Sequence, residues 1–303
     1  MAVPARGAET PSTVATVVTV VMPTYNEATT LPRTAAALLA LPLPGLRLLV
    51  VDDNSPDATG EIADRLAKRH PERVEVLHRP AKSGLGRAYA AGLRHALRDG
   101  DAHYLLQMDA DGSHAVADVP RLLGAALSSG AGLVVGSRYV PGGRLAADWP
   151  AHRRLLSRWA NRYLATVLRG GLRDITAGFA LWRADTLRAL GPAPARSVGY
   201  GFQVELKYAA VRAGCPVVEI PIGFAGRFDG ASKLSAASQL EAAVLPWRLL
   251  LGRPRGGVRP GPPPRPPRVA VRASRAAGPV AAGRQEASSS GPAGAGRPSR
   301  RQP

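Results

Sequence analysis

Cysteine is almost missing from this chain of 303 residues: Cys215 stands alone. One cysteine excludes a disulfide framework and a Cys-rich zinc site, and it fits a reducing compartment. Long apolar runs are missing as well. The longest, Val14 to Met22, is broken by threonines, and a membrane span needs about 18 uninterrupted apolar residues. The start of the chain has no apolar stretch of the kind a secretory signal carries, so a cytoplasmic protein is expected. Aromatic residues make up only 5% of the chain, and none follows Trp247. Acids are scarce: 22 Asp and Glu face 40 Lys and Arg, a formal charge of +18. The six histidines show no metal-ligand spacing, and no Gly-x-Ser-x-Gly or Walker A sequence occurs.

The charge is unevenly placed. From Arg253 onward there are eleven arginines, no lysine and one acid, Glu286, so this tail holds +10 and residues 1–252 hold +8. The tail is rich in Pro, Gly, Ala and Ser, and such a composition does not bury enough apolar surface to offset its ordering entropy. Residues 253–303 are therefore expected to be a disordered tail, 1–13 a flexible start, and 14–252 the folded domain. The tail reads either as an extension without a specific job or as an adhesive for anionic lipid. Nucleic acid is not an expected partner, because the tail lacks stacking aromatics.

At 45% hydrophobic, the rest of the chain suffices for a core. Val14 to Met22 is β-branched and apolar, as in a strand buried on both faces. Helix is expected from Leu31 to Leu41, strand from Leu46 to Val51, helix from Thr59 to Arg69 and strand from Val74 to His78. Next come helix from Gly84 to Leu97, strand from Tyr104 to Met108, helix from Val119 to Leu127 and strand from Leu133 to Gly136. This alternation predicts an α/β fold, a Rossmann-like, mostly parallel sheet with helices on both faces. Farther on, helices are expected at 152–168, 184–190 and 201–213 and a strand at 217–222. Ser235 to Leu251 reads as an amphipathic stretch, kinked or split at Pro246, that lies in a membrane interface or packs on the domain.

Ligands of such sheets bind beyond the carboxyl ends of the strands, and polar clusters sit there. Asp109-Ala110-Asp111 ends the fourth strand. Two carboxylates one residue apart can face one hard cation, and Mg²⁺ takes one or two protein carboxylates and leaves positions for phosphate oxygens. Asp53 ends the second strand, where a carboxylate can accept from a base edge or ribose. Asp52-Asp53 with Asn54-Ser55 can equally cap a helix. Pro23 and Tyr25 follow the first strand, where the ring can flank a base. Arg138, Arg153, Arg154, Arg227 and Lys233 could hold phosphates, arginine as a bidentate fork and lysine as a point charge.

Together these segments resemble the family 2 inverting glycosyltransferases of GT-A fold, and among them the dolichyl- or polyprenol-phosphate mannose synthases. The matching stretches are Pro-Thr-Tyr-Asn-Glu (23–27), Val-Asp-Asp-Asn-Ser-Pro-Asp (51–57), Gly-Leu-Gly-Arg-Ala-Tyr (84–89) and Met-Asp-Ala-Asp-Gly-Ser-His (108–114). They continue with Gly-Ser-Arg-Tyr-Val-Pro-Gly-Gly (136–143), Arg-Arg-Leu-Leu-Ser-Arg (153–158), Asp-Ile-Thr-Ala-Gly-Phe (174–179), Gly-Tyr-Gly-Phe-Gln-Val-Glu (199–205) and Gly-Ala-Ser-Lys-Leu-Ser (230–235).

The resemblance implies a metal-dependent transfer of mannose from GDP-mannose to a polyprenyl phosphate with inversion, giving GDP. Another donor, such as UDP-glucose, or another acceptor is the alternative. It implies that Pro23, Tyr25, Glu27, Val51 and Asp53 hold the nucleoside. Asp109, Ala110 and Asp111 hold the diphosphate, with Mg²⁺ or Mn²⁺ on Asp109, Asp111 and Ser113. Ser113 stands where some relatives have Gln, so water can intervene there. Arg138, Arg227 and Lys233 line the phosphates, with Asp109, Asp111 and Arg138 as the catalytic set, and Arg153 or Arg154 serves the lipid phosphate. A phosphate nucleophile is already anionic, so no strong base is expected. The acceptor implies a peripheral position on the inner face of a membrane, with a separate membrane-anchoring protein as a further partner.

Overall fold

The computed structural model describes residues 16–98, 100–146, 149–191, 201–225 and 236–251. The expected flexible start and tail, and the candidate residues Arg227 and Lys233, lie outside them. β1 (Val18–Thr24), β2 (Leu46–Asp52), β3 (Val74–His78) and β4 (Tyr104–Gln107) alternate with α1 (Leu31–Leu39), α2 (Thr59–Arg69) and α3 (Leu85–Arg98). Then come α4 (Val119–Ser129), β5 (Leu133–Ser137), α5 (Ala151–Leu168), β6 (Ala180–Arg183), α6 (Ala184–Leu190), α7 (Gly201–Arg212), β7 (Val217–Pro221) and α8 (Ala236–Leu251). The seven strands form one sheet in the order β3-β2-β1-β4-β6-β5-β7. All neighbours are parallel except at β6, which runs antiparallel to both β4 and β5. This is the mostly parallel α/β sheet that the sequence predicts.

The apolar pattern explains the layers. All seven residues of β1 are buried, as a strand covered on both faces requires. On one face Leu31, Ala35 and Leu38 of α1, Ala63 of α2 and Leu122 of α4 meet Val18, Val20 and Leu48. On the other, Tyr89 and Leu93 of α3, Leu187 of α6 and Phe202 and Leu206 of α7 meet Val21, Leu49 and Trp182. Burying each such large side chain contributes about 1.5–3 kcal/mol. α3 lies so close to β1 and β2 that a Cβ at Gly92 would meet Val21 at 2.5 Å and Val51 at 2.7 Å, so glycine is required there. A third cluster, with Leu164 and Leu168 of α5, Val204 and Tyr208 of α7 and Leu245 of α8, packs these three helices together beside the sheet.

Three expectations need correction. The first strand begins at Val18 and continues through Pro23 and Thr24. Thr24 pairs in register with Asp52, so the ladder overrides the proline. β6 has no counterpart in the sequence reading, because Ala-Leu-Trp-Arg is too short to show a period. Pro246 does not split the last stretch: α8 continues through it as one helix. That stretch also divides its apolar residues. Leu245 is buried, while Val244, Trp247, Leu250 and Leu251 are exposed.

Candidate active site at the carboxyl rim of the sheet

β1, β2, β4 and β5 all point their carboxyl ends at one rim, so the four polar clusters of the sequence come together. At the β2 end the two adjacent aspartates divide their work. Asp52 accepts from the Ser55 hydroxyl (2.6 Å), the Ser55 N–H (3.2 Å) and Thr24 (3.2 Å), and so holds the turn. Asp53 pairs with Arg79 and accepts from the backbone N–H groups of Ser83 (3.1 Å) and Gly84 (3.3 Å). The sequence-predicted base ligand therefore already holds the loop before α3. Tyr25 presents its ring to the Lys82 ammonium, 3.7 Å from the ring centre. Glu27 accepts from the Thr30 hydroxyl (2.6 Å) in the turn into α1. Pro23 and Val51 are register partners within the sheet. The Val51 side chain is buried in the core cluster that includes Ala88 and Leu93 of α3.

The β4 end carries the acidic turn. Asp109 accepts from the Tyr89 hydroxyl of α3 at 2.6 Å, and its N–H donates to His114 Nδ1 at 3.1 Å. Asp111, 6% exposed, accepts from the Ser113 N–H at 3.0 Å. Gly112 between them has φ +76°, a conformation that favours glycine. Ala110 is buried, and its carbonyl accepts from Thr34 of α1, which fixes the turn against the helix. His114 lies parallel to Phe179 at 4.8 Å and is T-shaped to Phe224 at 5.7 Å. Burial holds its pKa below 6.5, with Arg138 assisting, against the pull of Asp109, Asp111 and Asp174. The ring is thus neutral, accepts at Nδ1 and carries its proton on Nε2.

The donor set suits a hard cation. Ser113 Oγ is buried in the turn with Asp111 and has no partner among the described residues, and two carboxylates plus a hydroxyl leave coordination positions for a diphosphate. Among the described residues no cluster of three or more His, Cys, Asp or Glu side chains forms a metal site.

The β5 end differs from expectation. Arg138 is not an isolated cation. Its Nε and Nη2 donate to Asp174 at 2.8 and 2.7 Å, its backbone N–H donates to the same carboxylate at 2.9 Å, and Nη2 also donates to Thr176 at 2.9 Å. Asp174 is wholly buried, so an incoming phosphate meets a neutral pair at this point. Asn161 of α5 donates to the Thr176 hydroxyl (2.9 Å) and accepts its N–H (3.2 Å). Glu219 of β7 accepts the N–H groups of Arg173 and Asp174. At the mouth, Arg153 lies 4.1 Å over the Trp149 ring, which is T-shaped to Phe224 at 5.5 Å. The Phe224 ring also lies 5.3 Å from the Arg138 guanidinium. Arg153 thus shares this mouth, and Arg154 follows it in the first turn of α5.

Sequence reasoning gave no role to Tyr89, Asn161, Asp174 or Lys207, although Tyr89 and Asp174 stand in the matching stretches 84–89 and 174–179. The Lys207 ammonium is fully buried and donates to the Ala177 carbonyl at 2.6 Å. Burial lowers its pKa to about 7, against the pull of Asp174. Its signal was a lysine between Leu206 and Tyr208 on an otherwise buried arc of α7.

Comparison with known proteins identifies the family. The family model "Glycosyl transferase family 2" matches residues 19–191. A polyprenol monophosphomannose synthase of Mycolicibacterium smegmatis is 46% identical over 244 residues, 79% of this chain and 91% of that protein. An undecaprenyl-phosphate mannosyltransferase of Micrococcus luteus is 47% identical over 225 residues, 74% of this chain and 90% of that protein. Among solved structures, glucosyl-3-phosphoglycerate synthase from Mycobacterium tuberculosis with Mn²⁺, UDP-glucose and phosphoglyceric acid superposes with a TM-score of 0.56. It is 19% identical, over 77% of this chain and 79% of that one. The same enzyme with Mg²⁺ and UDP gives a TM-score of 0.55 at 21% identity, over 76% of this chain and 79% of that one. These structures share the GT-A-like fold. With the rim of strand ends, the acidic turn and more than half of the sequence in agreement, the chain belongs to glycosyl transferase family 2.

Proposed function

We propose that this protein transfers mannose from GDP-mannose to a polyprenyl phosphate with inversion, releasing GDP. The observation that carries this reading is the 46% identity to a polyprenol monophosphomannose synthase over nine-tenths of that protein. The acidic turn supports it. Asp109, Asp111 and Ser113 Oγ would hold Mg²⁺ or Mn²⁺, the ions bound by the structural neighbour. When bound, such an ion neutralises the leaving diphosphate. The chain's own residues do the rest. Tyr89 and His114 fix Asp109, Tyr25 with Glu27, Pro23 and the Asp53 loop form the nucleoside side, and Arg153 and Arg154 meet the acceptor phosphate. Arg227 and Lys233 are assigned to phosphates by the family resemblance. The acceptor phosphate oxygen forms a bond to C1 as the bond from C1 to the diphosphate oxygen breaks on the opposite face. The nucleophile is anionic at neutral pH, so the neutral His114 need not take a proton.

The lipid acceptor implies contact with a membrane surface. Among the described residues no helix is long and apolar enough to cross a bilayer. α5 instead carries Leu155 at 70% and Trp159 at 59% exposure between Arg153, Arg154, Arg158 and Arg162, without one acid. Trp159 stacks on Tyr163, and Trp247 of α8 donates to the Tyr163 hydroxyl, so the exposed apolar residues of both helices adjoin. Apolar side chains flanked by arginines suit an anionic bilayer interface, which supports a peripheral position on the inner face.

The test is a panel of labelled nucleotide sugars offered to the purified protein with polyprenyl phosphate. Label transferred from GDP-mannose to lipid, with GDP released, is the expected result. Transfer from UDP-glucose alone would overturn the reading.

A further inference from the structure

Gln203 is 2% exposed, and among the described residues neither its Oε1 nor its Nε2 has a partner. Folded proteins pair almost all such atoms, because a buried amide without a partner loses its hydration and gains nothing. On α7, Phe202, Leu206 and Ala210 pack toward the sheet and Val204 and Tyr208 pack toward α5. Gln203 and Lys207, one helical turn apart, occupy the arc between these faces.

The chain path fixes which end of α7 carries Gln203. After Arg212 the chain turns back through residues 213–216 into β7, which runs parallel to β5 toward the carboxyl rim. The first turn of α7 therefore lies at the rim. Two routes of contact tie it to the acidic turn. Phe202 stacks on Tyr89 at 6.5 Å, and the Tyr89 hydroxyl donates to Asp109. Lys207, one turn farther from the rim, holds the Ala177 carbonyl. The next residue, Gly178, lies so close to Asp109 and His114 that an added Cβ would sit 3.4 and 3.3 Å from them.

We propose that the Gln203 amide binds the donor sugar, its Nε2 and Oε1 hydrogen-bonding sugar hydroxyls, and so selects among nucleotide sugars. This rests on the glycosyl-transfer reading. On that reading the nucleoside lies at the ends of β1 and β2 and the diphosphate at the end of β4. The sugar then extends along the strand order toward β6 and β5, whose buried Ala180, Trp182 and Val135 share a core cluster with Phe202 in the first turn of α7. A neutral amide offers both a donor and an acceptor, which matches hydroxyl groups. A phosphate offers only acceptors, which Oε1 would repel.

The experiment compares the wild type with Gln203→Met, which keeps the length and loses both hydrogen-bonding atoms, and with Gln203→Glu, which keeps an acceptor and loses the donor. Calorimetric titration of each with GDP and with GDP-mannose separates sugar from nucleotide contacts, and melting without ligand reports the fold. Gln203→Met is expected to bind GDP as the wild type does and GDP-mannose about tenfold more weakly. Its melting temperature is expected to be unchanged or raised, because the amide has no partner to lose in the unliganded protein. Turnover with singly deoxygenated mannose donors should show one hydroxyl whose loss penalises the wild type and not Gln203→Met. Equal weakening for GDP and GDP-mannose, or a lowered melting temperature with unchanged sugar binding, would overturn the proposal in favour of a structural role. If the wild type instead uses another nucleotide sugar, the mannose reading fails and the same comparison runs with that sugar. Transfer of mannose by an unimpaired Gln203→Met would overturn this inference alone.

Discussion

Arg138 and Asp174 grip each other through two parallel hydrogen bonds of 2.8 and 2.7 Å, with the carboxylate wholly buried. Removing the guanidinium leaves a buried charge without its counterion, and breaking such a pair costs about 3–5 kcal/mol. Arg138→Ala is therefore expected to lower both the melting temperature and kcat/KM. The double variant Arg138→Met with Asp174→Leu should regain much of the stability and none of the activity. Denaturant unfolding beside a transfer assay checks this. An Arg138→Ala protein of wild-type stability would refute the pair's structural role.

The acidic turn predicts a dependence on divalent cation. Asp109→Asn and Asp111→Asn should each abolish transfer, and excess chelator should do the same to the wild type. GDP binding gives a readout apart from turnover. Added Mn²⁺ should tighten GDP binding to the wild type and leave either variant unaffected. Full activity in chelator would end the metal assignment.

Lys207 predicts a pH dependence of stability. Its folded pKa lies at about 7, below the usual 10.5. The unfolded chain therefore binds more protons between these values, and folding becomes more favourable as pH rises through that window, by at most about 1.4 kcal/mol per pH unit. Below pH 7 the ammonium is charged in both states and its full burial cost remains. Relative to Lys207→Met, which has no such group, the wild type should gain stability from pH 7 to 10. Urea unfolding at several pH values measures the difference, and parallel curves would mean that the lysine titrates normally.

The exposed strip on α5 predicts membrane adhesion. Leu155→Glu and Trp159→Glu replace residues that are 70% and 59% exposed, so stability should change little. Sedimentation with anionic vesicles should fall severalfold for each, and further when both are changed. Unaltered sedimentation of the double variant would place the contact elsewhere.

Much of the fold could be read from the sequence because buried parallel strands are long, β-branched and regularly spaced. The boundaries of α2 and β3 are those the pattern predicts. β6 escaped because four residues cannot display a period and its partners are distant in sequence. At the site, the carboxylates of the acidic turn stood out because they share one tripeptide. Asp174, Asn161 and Tyr89 did not, because each meets its partner across another element. Arg138 was legible as a candidate site residue, while its burial against Asp174 was not, since pairing depends on the return of the chain after α5. Asp53 was similarly read without Arg79.

The antiparallel β6 has a consequence for synthesis. β1 to β5 all precede it in the chain, yet β4 and β5 meet only through it. While residues 180–183 are still unmade, β4 has one open edge and β5 has two, and exposed edges invite pairing with other chains. Insertion of Trp182, whose indole donates to Gln107 at 2.7 Å in the middle of the sheet, closes the β4 edge and one β5 edge together, and β7 later covers the other β5 edge. A nascent or truncated chain that stops short of Ala180 thus carries the nucleotide half with sticky sides. The step that joins the two halves of the sheet is also the step that protects the chain from its own copies.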